Sequence, residues 1–116
     1  MQYNRLDVFY VDLKPSVGSV QGGTRPCVLV GNHLSLKHSD AIQVVPLTTK
    51  LNKSRLPTHL NIKEDFLTNE SVCLFEQVMT ISKKQLRERL GKLDDTYTDL
   101  VNSKLAISLA IDPAYA

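Results

Sequence analysis

Arg25, Thr48, Thr49, Lys50, His59, Glu76 and Gln77 are the side chains in this sequence best suited to chemistry on a charged substrate. Arg25 closes the stretch Lys14-Pro15-Ser16-Val17-Gly18-Ser19-Val20-Gln21-Gly22-Gly23-Thr24-Arg25, which holds three glycines and small hydroxyl residues and stops at Pro26. Glycines let a backbone approach a ligand closely or take a positive φ. An arginine where such a loop meets a strand offers phosphate a planar fork of donors. With the threonines, the lysine, the imidazole and the Glu76–Gln77 pair, the set makes a groove suited to a phosphodiester. The plainer reading of the same residues is a hairpin loop with a solvated arginine, ordinary strand threonines, a polar strand face at Glu76 and Gln77, and a solvated turn at Lys50, Lys53 and Arg55. Residue types alone leave both open. The sequence has no G-x-S-x-G elbow, P-loop or paired metal-binding carboxylates.

The elements that must hold these residues are short. Val8–Leu13 and Cys27–Val30 flank the glycine loop and are rich in β-branched and aromatic residues, so both read as strands. Residues 32–40 read as a loop or short helical turn. Ala41–Thr48 reads as a strand in which Pro46 removes a ladder donor, which places it near an edge or bulge. Thr58–Ile62 alternates as a half-buried strand does. Ser71–Phe75 reads as a buried strand running on into Glu76–Ile81. Ser82-Lys83-Lys84-Gln85 has the spacing of a capping box, and 87–93 leads away as a last short strand. Asp94-Asp95 puts negative charge where a helix begins. From there Tyr97, Leu100, Val101, Lys104, Leu105 and Ser108 fall at helical intervals, widened by Ile107, Leu109 and Ile111 into a broad apolar face. The order predicts a small, strongly bent antiparallel sheet or partial barrel with a C-terminal helix on one side. In such a sheet the strand ends converge, which would gather the polar residues into one groove. A barrel this small keeps apolar surface that dimerisation would cover.

The 116 residues suit one domain, 1–116, with a modest core, and 42% hydrophobic against 22% charged residues is globular composition rather than disorder. No apolar run approaches the roughly 20 residues that span a bilayer, and the polar start Met1–Arg5 is not followed by a signal-type apolar core. A cytoplasmic protein is expected. A net charge of +2 is too small to announce nucleic-acid binding, so any such site must come from a local group of cations. Cys27 and Cys73 lie in apolar stretches, and His33, His38 and His59 are scattered, so no metal or cofactor is implied.

Nearly the whole chain resembles the MazF/PemK toxins, the RNA-cleaving halves of bacterial toxin–antitoxin pairs. The resemblance is carried by Asp7–Leu13, by Val17-Gly18-Ser19-Val20-Gln21-Gly22-Gly23-Thr24-Arg25-Pro26, by Val45-Pro46-Leu47-Thr48, by Leu56-Pro57-Thr58-His59, and by Phe75-Glu76-Gln77-Val78-Met79-Thr80-Ile81. It implies an SH3-like small barrel with a C-terminal helix, acting as a homodimer and neutralised by a cognate antitoxin. It implies a metal-independent endoribonuclease on single-stranded RNA, with the 2′-hydroxyl as nucleophile and 2′,3′-cyclic phosphate and 5′-hydroxyl ends as products. On that resemblance Arg25 and Thr48 are the catalytic pair. Ser19, Gln21, Gly22, Thr24, Thr49, Lys50, Leu56, Pro57, His59, Glu76 and Gln77 would bind RNA, with an ACA-containing motif implied by the Leu56–His59 segment. The chain departs from many members at Leu6, where they have glycine, at Val20, where they have an acid, and at Met79, where they have arginine. The alternative within the same barrel is a non-enzymatic, CcdB-like toxin that binds DNA gyrase through the end of its C-terminal helix.

Overall fold

Cys27 and Leu29 face one apolar layer and Val28 the other, the alternation expected of a strand buried on both sides. This strand, β2 (Thr24–Leu29), follows β1 (Asp7–Asp12). The chain continues through a short helix α1 (His33–His38), β3 (Ala41–Thr48), β4 (His59–Ile62), β5 (Ser71–Leu74), β6 (Met79–Ser82), β7 (Leu86–Lys92) and helix α2 (Thr98–Ser108). The computed structural model describes residues 2–15, 17–50 and 56–116. The strands order β4-β5-β3-β2-β1-β7, with β6 also on β3, and every pairing is antiparallel. Two register shifts between β1 and β7 bend that end of the sheet. The expected bent antiparallel sheet with a C-terminal helix is what forms.

One apolar layer gathers Val8, Val28, Val45, Leu47, Phe75 and Leu93 under Val101 of α2. The other gathers Phe9, Val11, Leu29, Ile42 and Val44 with Leu36 of α1. Cys27 and Cys73 are buried free thiols, and burial pushes the Cys27 thiol up to about 12, so neither is a ready nucleophile at neutral pH. Among the described residues, no helix is long and apolar enough to cross a membrane.

Four expectations are corrected. Pro46 is not at an edge: β3 pairs with β2 on one side and, on the other, first with β6 and then with β5. The Gln43 carbonyl accepts from Val30 N across the β2 side, so strand alternation turns the Pro46 nitrogen the other way. There it meets the interval between the β6 and β5 pairings, where no ladder donor is needed. Glu76 and Gln77 do not continue a strand, because Phe75–Gln77 winds into a 3₁₀ turn between β5 and β6. The strand beyond the glycine loop starts earlier than Cys27 and already includes Arg25. The apolar face of α2 is narrower than its spacing predicts. Val101 is buried and Tyr97 and Leu105 pack beside it, but the helix stops at Ser108 and leaves Leu100, Leu109 and Ile111 exposed. The short turn at Lys83–Gln85 carries both halves of its capping box, as the spacing requires.

Leu6 stands in the left-handed region at φ +76° yet is buried. Its N–H donates to the Leu29 carbonyl at 2.8 Å, and its own carbonyl accepts from Leu93 N at 3.0 Å. The backbone there is dictated from both sides, which accounts for a glycine being at home at this position. This chain keeps a leucine and buries its side chain in the layer beneath α2.

Candidate active site

The glycine loop is closed at its base before it reaches the site. Leu13 N donates to the Gly23 carbonyl and Gly23 N to the Lys14 carbonyl, both at 2.9 Å. Gly23 takes φ +71°, which lets the chain turn back into β2. Two residues on, Arg25 is half-buried in β2 opposite Val11 of β1. Its Nε donates to the Gly22 carbonyl at 2.8 Å, and among the described residues that is the guanidinium's only hydrogen bond. Among the described residues its two Nη groups thus keep a full set of donors. Arg25 lines a cavity of about 230 Å³ together with Gly18–Gly22 and Lys50.

Thr48 ends β3 and is buried. The β2–β3 pairing runs from Leu29–Val44 to Cys27–Pro46, so Arg25, near the start of β2, and Thr48, the last residue of β3, both lie just beyond the loop end of that ladder. The Thr48 Oγ1 accepts from Lys50 N at 3.2 Å, which fixes the oxygen and leaves its hydrogen for another acceptor. A cation and a hydroxyl thus stand at one end of adjacent strands.

The 3₁₀ turn Phe75–Gln77 adjoins this loop. Phase and depth are set by Phe75, which is fully buried and whose carbonyl accepts from Val78 N and from the Ser108 Oγ of α2. On one side Gln77 reaches the glycine loop: Gln21 N donates to its Oε1 at 2.8 Å, and its Nε2 donates to the Ser19 carbonyl at 3.0 Å. On the other side Glu76 holds the segment before β4. Thr58 Oγ1 donates to Glu76 Oε1 at 2.8 Å, and His59 Nε2 lies 3.0 Å from Glu76 Oε2. Leu56 N donates to His59 Nδ1, so the ring proton belongs on Nε2, pointing to the carboxylate. Burial alone would raise the Glu76 pKa, but the bonds from Thr58, from its own backbone N–H and from His59 outweigh it and hold the carboxyl below its ordinary range.

A family model described as PemK-like, MazF-like toxin of type II toxin–antitoxin system matches residues 4–109. The chain belongs to this toxin family. Endoribonuclease EndoA of Bacillus subtilis is 40% identical to it over 113 residues, covering 96% of this chain and 97% of that protein. Among solved structures, MazF from Deinococcus radiodurans superposes with a TM-score of 0.79 at 19% identity, over 95% of this chain and 98% of that one. An endoribonuclease in complex with its cognate antitoxin from a mycobacterial species gives 0.73 at 23% identity, over 92% and 94%. At those identities the two structures bear on the fold alone.

In this PemK/MazF-type chain, Ser19, Gln21, Gly22, Arg25 and Lys50 of the sequence-predicted set line one cavity, with Gln77 bonded to its wall and Thr48 bonded to Lys50. His59 and Glu76 form a second group with Leu56, and the Phe75–Gln77 turn joins the two groups. Pro57 is exposed there, its carbonyl accepting from Lys104 of α2 at 2.8 Å. Thr24 and Thr49 are exposed and do not line the cavity. Lys53 and Arg55 lie outside the described residues. Sequence reasoning did not single out Thr58, whose hydroxyl anchors Glu76, or Lys104. The signal for Thr58 was a hydroxyl beside the histidine of Leu-Pro-Thr-His. Nothing local pointed to the Lys104 contact, which spans 47 residues.

Proposed function

We propose that this toxin-family chain is an endoribonuclease that cuts single-stranded RNA by intramolecular transesterification. The ribose 2′-hydroxyl loses its proton to water as its oxygen attacks the adjacent phosphorus, and the 5′-oxygen of the next nucleotide leaves, taking up a proton from water. The products are a 2′,3′-cyclic phosphate and a 5′-hydroxyl. The substrate supplies the nucleophile, so the protein must hold it in line and stabilise charge gathering on the phosphoryl oxygens. Arg25 does the second with its Nη groups by charge-assisted bonds. Thr48 donates its hydroxyl hydrogen to the same phosphate, or its oxygen accepts from the 2′-hydroxyl and orients it. No step in this scheme calls on a metal ion.

The single observation that supports this reading most is Arg25 lining the loop cavity with, among the described residues, no partner on its Nη groups, and Thr48 at the end of the neighbouring strand β3. Ser19, Gln21, Gly22 and Lys50 border that cavity; with Leu56, Pro57, His59, Glu76 and Gln77 on the adjoining turn and segment they would take a strand whose splayed bases present edges and faces. Thr24 and Thr49 belong to the outer rim of the same surface. The setting is the cytoplasm, where messenger RNA is met, and the working form is a homodimer inhibited by an antitoxin segment laid in the groove.

Purified protein incubated with a long unstructured transcript in EDTA is expected to give discrete cuts ending in cyclic phosphate. Arg25→Ala, folded by circular dichroism, is expected to lose about 100- to 1000-fold in rate. Full activity in that variant would falsify the assignment of Arg25. Poisoning of gyrase by a preparation that leaves RNA whole would move the function to the CcdB-like alternative.

A further inference from the structure

We propose that Gln77 is a positioning residue that sets the Arg25 guanidinium through the backbone of the glycine loop. The proposal rests on the reading of Arg25 as the charge-stabilising group. Its basis is a continuous set of hydrogen bonds across 56 residues of sequence separation. The Gln77 Oε1 takes the Gln21 N–H, and its Nε2 gives to the Ser19 carbonyl. The next residue, Gly22, is buried, and its carbonyl is the partner of Arg25 Nε. Peptide groups are planar, so fixing the Gln21 N–H leaves only the soft dihedrals of Gln21 and Gly22 between that anchor and the carbonyl that orients the arginine.

The plane carrying the Gly22 carbonyl has a second anchor, because Gly23 N donates to the Lys14 carbonyl. With Gln77 in place the plane is held from both ends of the short segment. Without it the loop hangs from its base alone, and the glycine at 22 gives little resistance. Gln77 is itself fixed. Its turn is rooted by buried Phe75, bonded to α2 through Ser108, and flanked by the Thr58–Glu76–His59 group. A rigid turn therefore holds a pliable loop, and the loop holds the arginine.

Kinetics separate this role from the direct RNA binding that the resemblance implies for Gln77. A residue that only binds RNA changes KM, whereas one that aims Arg25 changes the transition state and so kcat. Gln77→Met keeps the length of the side chain and removes both bonds. It is expected to lower kcat by about ten- to a hundredfold while KM stays within about twofold and the melting temperature is held. Gln77→Glu keeps an oxygen for Gln21 N–H but loses the donor to Ser19, and is expected to fall between. In RNA-free protein, NMR of the Arg25 Nε–H is expected to show faster hydrogen exchange in Gln77→Met than in the wild type. An unchanged kcat, a raised KM with kcat intact, or unchanged exchange at Arg25 would each overturn the proposal. The exchange measurement uses no RNA, so it decides the linkage even for a wild-type protein that cuts none.

Discussion

Glu76 is a carboxylate whose worth depends on its charge. Thr58, its own N–H and His59 all bond the ionised form, and together they hold its pKa below 4.5 despite some burial. A depressed folded value means that the unfolded chain binds the proton more readily. Its contribution to stability is therefore complete above the unfolded value and is lost as pH falls through the folded one. Glu76→Gln should destabilise the protein at pH 7 by about 1 kcal/mol or less, since the carboxyl is partly open to solvent. In urea titrations the difference between the two proteins should shrink as pH falls below 4.5. A gap that stays constant down to pH 3 would show that the loss comes from shape rather than charge. Arg25 was legible as a residue of interest because it follows the glycines. What it bonds to, and that Gln77 reaches the same loop, were not, since the first rests on the backbone path of the loop and the second on how the Phe75–Gln77 turn folds back.

At the scale of elements, periodicity gave the strands and failed at their joints. β3 was readable residue for residue, but Pro46 was misplaced because one strand serving two partners on the same side leaves no local trace. The run from Ser71 to Ile81 reads as one strand, yet Phe75–Gln77 winds into a 3₁₀ turn with Phe75 buried and Glu76 and Gln77 bonded to distant loops. Leu6 shows the opposite conflict, a side chain that suits the core on a backbone that suits glycine. Leu6→Ala forfeits the burial and keeps the left-handed strain, costing about 3 kcal/mol. Leu6→Gly forfeits the same burial but relieves the strain, and should be the more stable of the two by about 1 kcal/mol. Chemical denaturation of both variants tests the order, which reverses the usual ranking of alanine over glycine. Alanine equal to or better than glycine would mean that the bonds to Leu29 and Leu93 do not impose φ +76°.

The whole molecule carries a net charge of only +2, so its long-range field does little to draw in a polyanion. Capture of RNA must rest on the few cations at the groove, of which Arg25 and Lys50 line the cavity. Counterion release then sets a shallow salt dependence, about −0.7 in log K against log salt for each phosphate met by a cation on a single strand. For a groove offering two or three such contacts the slope is about −1.4 to −2.1. An RNA with a 2′-deoxyribose at the cut site binds without reacting, because the nucleophile is missing, and lets the equilibrium be measured. Lys50→Ala should reduce that slope by about 0.7 and weaken every sequence alike, because a phosphate contact carries no base information. A slope that does not change in Lys50→Ala would place the phosphate chain away from the loop cavity, and a much steeper slope in the wild type would mean that cations beyond this groove take part.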